Sequence, residues 1–179
     1  MLLGVAIISP DARAADLTEE AKAARDFTFE KIKLGSSLKD FKKQFPNASY
    51  QVDLSDPKLK VAVFLQDSES AAFTRVEFLD EILYEIRVIY NIEKVNKLGG
   101  DSVLLDRLIK KFGKFQKDKD YEFKREPFAI NGVWRFPEVD RFVKFQATEK
   151  FSRLDVTDMK LFRELQERKA KAAKTGFDD

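Results

Sequence analysis

The chain has 179 residues, 44% of them hydrophobic, and 33 Lys and Arg against 31 Asp and Glu leave a formal net charge of +2. That length makes one domain or two small fused units and is enough to bury a core unaided. It contains no Cys and no His, which excludes thiolate nucleophiles, disulfides, thiolate zinc sites and every Ser-His-Asp or Cys-His mechanism. The near-balanced charge speaks against a dedicated nucleic-acid binder.

In chain order, residues 2–8 (LLGVAII) are continuously apolar, Ser9-Pro10 breaks them, and Ala12-Arg13-Ala14 places small residues as a signal peptidase needs them. The run is too short to span a bilayer. It reads as the end of a truncated leader with cleavage before Ala15 or Asp16, so the expected location is periplasmic or secreted. Asp16 with Glu19 predicts the cap of a short polar helix. Phe27, Phe29, Ile32 and Leu34 lead into Gly35, and Ser37 with Asp40 predicts a capped helix carrying Leu38, Phe41 and Phe45 on one stripe until Pro46.

Strand patterns follow. Val61, Val63 and Leu65 alternate with Ala62, Phe64 and Gln66, and residues 66–71 read as a polar turn. Phe73–Leu79 puts Val76 and Phe78 on one face. Asp80-Glu81 predicts a hairpin turn without the Gly such turns favour. Ile82, Tyr84, Ile86, Val88 and Tyr90 predict a strand with one apolar face, Glu85 and Arg87 lying on the other.

From Ile92 the pattern starts again. Gly99-Gly100 breaks the chain, Asp101 or Ser102 is expected to cap, and Leu105, Leu108, Ile109 and Phe112 line a second amphipathic helix. A polar link leads to strands near Tyr121–Lys124, Ala129–Phe136 and Val139–Ala147, with a hairpin expected at Asn131-Gly132. A strand over Ser152–Val156 and a helix capped by Thr157 or Asp158, carrying Leu161, Phe162 and Leu165, close the chain. Seventeen Phe against one Trp suit a Phe-packed core.

FEKIKLG at Phe29 and IEKVNKLG at Ile92 precede two helices whose apolar stripes, Leu38, Phe41, Phe45 and Leu105, Leu108, Phe112, stand at one constant offset. A fixed period suggests a tandem unit. Strands in runs between helices predict an α+β fold with antiparallel sheet: two tandem helix-plus-strand-meander units packed as a two-layer sandwich, with a C-terminal helix. The expected segments are a truncated signal peptide at 1–14, a first unit at 15–91, a second at 92–156, and a helix and tail at 157–179.

The segment Phe29-x-x-Ile32-x-x-Gly35-x-Ser37-x-x-x-Phe41 resembles the opening of the β-lactamase-inhibitor-protein-like fold, also seen in small outer-membrane lipoproteins of the SmpA/OmlA type. The match covers about 20 residues; the second copy departs from it by an extra residue before Gly99 and a longer cap. The resemblance implies a secreted or periplasmic binding module and, in inhibitor-type members, a duplicated unit. It carries over no functional residue and no particular target.

Candidate sites are sparse. Trp134, Arg135, Phe142 and Lys144 form an aromatic-basic pattern of the kind found at protein interfaces, and alternation puts Phe142 with Lys144 opposite Val143 and Phe145. Basic runs at Arg107–Arg125 and Lys160–Lys174 suit solvated faces or peripheral contact with anionic headgroups. Asp53, Asp56, Asp67, Glu69, Asp155 and Asp158 are oxygen donors, but none stands in an EF-hand spacing, and Asp155 with Asp158 fits helix capping. The expectation is a non-enzymatic module for a protein partner or envelope component, without cofactor, metal or nucleic acid. The alternative is a carboxylate-based hydrolase or lyase with a cleft between the units.

Overall fold

The structure is a computed structural model and describes residues 17–52, 58–65, 71–117 and 130–175. Helix α1 (Glu19–Arg25) precedes a small hairpin of β1 (Thr28–Phe29) and β2 (Ile32–Lys33), then helix α2 (Leu38–Gln44). The first meander is β3 (Ser49–Val52), β4 (Leu59–Leu65), β5 (Ala71–Leu79) and β6 (Ile82–Tyr90). Helices α3 (Ile92–Lys97) and α4 (Asp101–Phe112) lead into β7 (Gln116–Lys117), β8 (Ile130–Phe136), β9 (Arg141–Ala147) and β10 (Ser152–Asp158), and α5 (Met159–Thr175) follows. The α+β class, the antiparallel meanders and the C-terminal helix are those the sequence leads one to expect.

Both meanders share one sheet, ordered β3-β4-β5-β6-β10-β9-β8-β7. The last strand of each meets the other at the middle, where β10 pairs antiparallel with β6 from Ser152↔Tyr90 to Thr157↔Glu85. One face of the sheet carries Val76, Phe78, Ile86, Val88, Val143, Phe145, Leu154 and Val156, all buried. Against it pack Ala21 and Ala24 of α1, Leu38 and Phe41 of α2, Val95 of α3, and Leu104, Leu108 and Phe112 of α4. Helix α5 lies on the opposite face, where Leu161, Phe162 and Leu165 meet Leu59, Leu79 and Tyr84.

Ser37 caps α2 as expected: its hydroxyl accepts from Asp40 N–H at 3.1 Å and donates to the Asp40 carboxylate at 2.7 Å. Residues 35–38 also clip onto the β5–β6 hairpin, with Gly35 N–H to Leu83 O at 2.8 Å and Leu38 N–H to Glu81 O at 2.7 Å. That clip needs Gly35 at φ +81°, where a side chain would be strained. It also satisfies a helix-start donor that otherwise has no partner.

Several expectations are corrected. Thr18, not Asp16, caps α1, accepting from Ala21 N–H at 3.2 Å. Neither Asp101 nor Ser102 caps α4: Gly100 is the cap residue and makes no side-chain bond, while the Asp101 carboxylate accepts from the Ser152 hydroxyl. The buried stripe of α4 is Leu104, Leu108 and Phe112, with Leu105 and Ile109 on its flank. The two look-alike segments differ in form, since Phe29–Lys33 turns as a hairpin and Ile92–Lys97 coils as a helix. An Asn91 cap that accepts from Lys94 N–H at 3.1 Å starts that helix; local capping overrides the shared letters.

Asn131-Gly132 makes no hairpin; β8 runs straight through it, paired with β9 from Ile130↔Ala147 to Phe136↔Arg141. Gly132 is required for another reason: a Cβ there would sit 2.8 Å from the Phe115 ring, a close approach only Gly allows. The turn between β8 and β9 is instead a 3-10 turn, Pro137–Val139, closed by Asp140 at φ +52°. Asp80 and Glu81 do form the β5–β6 turn, at φ +50° and +70°, a geometry matching strand twist. Ion pairs from Lys58 and Arg168 to Asp80, and from Lys60 to Glu81, surround it. The strand expected at Tyr121–Lys124 lies outside the described residues, as does the turn expected at 66–71 except for Ala71, which opens β5.

Candidate binding face

The second face of the sheet is charged where the first is apolar. Its arrangement begins with a β-bulge: Glu77 pairs with Glu85, but Phe78 pairs with Leu83. The extra residue puts Tyr84 and Glu85 on the same side and shifts the alternation by one. Leu83, Ile86, Val88 and Tyr90 therefore join the main core. Ile82 is exposed and Tyr84 packs under α5, which corrects the placement of both on one apolar strand face.

Strand register then lines the side chains up in rows. One row reads Glu77, Glu85, Thr157, Phe142, Arg135 across β5, β6, β10, β9 and β8. The next reads Arg75, Arg87, Asp155, Lys144, Val133. Glu77 accepts from Arg75 Nε at 2.8 Å and from the buried Tyr84 hydroxyl at 2.5 Å. Arg87 reaches Glu85 at 2.7 Å and, across the seam between the meanders, Asp155 at 2.6 Å. Arg153 meets Asp155 at 2.9 Å and donates to Gln146 Oε1 at 2.5 Å; Gln146 in turn donates to Asn131 at 3.4 Å.

Glu85 is the anomaly in this network. Burial, then the facing Glu77, push its carboxyl up to about 7, against the pull of Arg87; Asp155 adds to the push. Like charges directly opposed in a sheet repel, and desolvation adds a larger penalty for the ionised form. Burial and Glu77 also hold the Tyr84 hydroxyl well above its ordinary range, so it stays a donor to Glu77.

Two clefts open side by side beyond α5. The first, about 380 Å3, is lined by Glu85, Arg87, Lys144, Arg153, Asp155, Thr157 and Phe162 together with Phe142 and Met159. The second, about 630 Å3, lies where the β8–β9 turn meets the start of α5, and is lined by Arg135, Phe136, Pro137, Asp140, Arg141 and Arg163, again with Phe142 and Met159. Arg141 is anchored there by Asp158 at 2.6 Å, and its buried Nε has no acceptor. Arg163 meets Asp140 at 2.5 Å, and the Arg135 guanidinium stands 5.5 Å over the Phe142 ring.

Of the four residues singled out from sequence, the structure gathers three. Arg135, Phe142 and Lys144 stand on the charged face. Trp134 leaves the set: it is on the apolar face, 3% exposed, packed on Phe112 and Phe115, with its indole N–H donating to Gly113 O at 2.7 Å. A strand alternates sides at each residue, so Trp134 and Arg135 could not share a face. Asp158 caps α5, bonding Lys160 and Leu161 N–H at 3.0 and 3.2 Å. Asp155 does not cap; it holds Arg87 and Arg153. Asp53, Asp56, Asp67 and Glu69 lie outside the described residues, among which no group of three metal-ligand side chains occurs.

The network was missed although the chain carries its signature. Arg75-x-Glu77, Glu85-x-Arg87 and Arg153-x-Asp155 are opposite charges two apart in strands, the spacing that puts both on one face. Which strands are neighbours, and so which pairs meet, depends on the β6–β10 seam. The chain matches no family model, no curated protein and no solved structure.

Proposed function

We propose that the chain is an exported, non-enzymatic binding module that engages a protein partner through the charged face of its sheet. The observation that carries this is the pair of adjoining clefts floored by Phe142 and Met159 and ringed by guanidinium groups, an arrangement of aromatic and Arg typical of interface anchors. The leader-like start supports export. The strand order, in which each meander runs from an outer edge to the shared seam, supports descent from a duplicated unit and the resemblance to the inhibitor-like fold. No described helix is long and apolar enough to cross a membrane.

The test is a photo-reactive phenylalanine analogue at position 142 in the protein produced in its own cells. The module reading expects one discrete adduct with a partner protein, lost when Arg135 is changed to Glu. Absence of any adduct counts against it. N-terminal sequencing of the mature protein checks export separately, with a start at Ala15 or Asp16 expected.

One observation favours the second reading, a carboxylate-based hydrolase or lyase. Glu85 sits in a cleft at the seam between the meanders with its carboxyl pushed up to about 7, and such groups serve as general acids. Hydrolysis of glycoside or ester panels abolished by Glu85→Gln would move the reading there.

A further inference from the structure

We propose that α5 is a latch, hinged at its first turn, that lifts from the sheet when Glu85 ionises. The inference goes beyond the module reading and holds whatever the charged face binds.

Three buried carboxylates lie together under and beside α5. Glu77 and Glu85 are opposed across β5 and β6, and Asp155 follows in the next row on β10. Their side chains are 9–11% exposed, whereas those of the arginines that hold them, Arg75, Arg87 and Arg153, are 25–40% exposed. The cations therefore stand at the wet rim, where water screens their pull, and the anions at the dry centre, where repulsion is screened least. Arg87 is also divided between Glu85 and Asp155, at 2.7 and 2.6 Å. Lys144 of β9 completes the cations around the cleft, and the Tyr84 hydroxyl is turned to Glu77. From α5 the cleft lining takes Met159 and Phe162, while Arg163 and Arg168 hold Asp140 and Asp80 instead. With its carboxyl pushed up to about 7, Glu85 keeps its proton in the closed form until pH passes neutrality.

An ionised carboxylate needs water, and α5 is the layer that yields most easily. The opposite face is sealed by one continuous core beneath α1, α2, α3 and α4. Helix α5 is held by a small separate cluster, in which Leu165 is buried and Leu161 and Phe162 are partly buried against Leu59, Leu79 and Tyr84. Further along, Arg168 pairs with Asp80 and Glu164 at the surface, where ion pairs contribute little. The first turn is held more firmly. Asp158 caps it and is fixed by Arg141 at 2.6 Å, and Met159 N–H donates to Asp140 O at 2.8 Å. A helix fixed at one end and weakly held along its length is suited to open locally while the sheet stays folded. The closed form has the higher proton affinity, so it is favoured at low pH and loses ground as pH rises through about 7. Lifting uncovers Leu59, Leu79 and Tyr84.

The test is hydrogen exchange read by mass spectrometry on the full chain, with α5 and β9 followed separately at about pH 5.5 and about pH 8 and corrected for intrinsic exchange. Protection of α5, taken relative to Glu85→Gln at the same pH, is expected to fall roughly tenfold between these conditions while β9 changes little. Glu77→Gln keeps an acceptor for Tyr84 but removes the opposed charge. It is expected to move the midpoint to lower pH and shrink the loss, a shift that general loosening does not produce, and it stands in if Glu85→Gln fails to fold. Protection of α5 that is indifferent to pH, loss by α5 and β9 together, a pH dependence that persists in Glu85→Gln, or a midpoint unmoved by Glu77→Gln overturns the inference. None of these outcomes bears on the position-142 adduct, which tests the module reading alone.

Discussion

The two faces of the sheet are made from the same strands, one residue to each side in turn, yet they are held by opposite physics. The face under α1, α2 and α4 buries Phe78, Phe145 and their neighbours, and its stabilisation grows with the apolar area taken from water. The face that α5 only partly covers buries Glu77, Glu85, Lys144 and Asp155, each costly to desolvate and tolerable only because a partner is within reach. The apolar face explains why the chain folds. The charged face adds little to that and is retained at a cost, which points to a role in register or in binding. Arg87 to Asp155 at 2.6 Å crosses the seam between the meanders and ties their register.

The largest expected effect breaks the apolar side. Phe145 is fully buried and meets Tyr90 edge to face at 6.4 Å; Phe145→Ala is expected to cost about 3–5 kcal/mol in urea unfolding. A loss below about 1 kcal/mol would mean the core does not sit where this contrast puts it.

The charged side has a pH signature instead. Glu85 titrates near 7 when folded against an ordinary value of 4.5, so the folded state holds its proton where the unfolded state has lost it. Stability is therefore fully present below about 4.5, falls as pH rises through about 7, and the total loss is on the order of 3 kcal/mol. Burial is the largest cause; Glu77 on β5 and Asp155 on β10 add to it, and Arg87 on β6 and, less strongly, Arg75 on β5 oppose it. Glu85→Gln is expected to flatten the slope between those pH values; an unchanged slope would assign it to another group.

Two smaller changes sharpen the boundary between the faces. Gly132→Ala forces the Phe115 ring away from β8 and is expected to cost about 1–3 kcal/mol. Glu81→Gly relieves a left-handed residue at φ +70° and loses only an exposed pair with Lys60. It is expected to stabilise the turn by up to about 1 kcal/mol, read as a rise in Tm.

How much of this was legible in the sequence varies with the range of the forces involved. The Ser37 cap, the Asp80-Glu81 turn, the alternation of Val143 and Phe145 against Phe142 and Lys144, and the closing helix rest on neighbours along the chain, and these expectations match the structure. The placement of Ile82 and Tyr84 failed because one bulged residue changes the phase of everything before it. Asn131-Gly132 misled because a Gly in a strand can serve a distant ring, here Phe115, as well as a turn. For the candidate face, Arg135, Phe142 and Lys144 were visible as a pattern. Glu85, Arg87, Arg153, Arg141 and Arg163 were not, because the seam and the packing of α5 that bring them together are long-range.

The division of labour between faces is tested most directly by two aromatics on opposite sides of one strand, Phe142 and Phe145, each changed to Ala and measured for both Tm and partner binding. The account predicts that Phe145→Ala collapses the Tm, whereas Phe142→Ala leaves it within a few degrees and loses partner binding. Equal losses of Tm, or undiminished binding by Phe142→Ala, would contradict it.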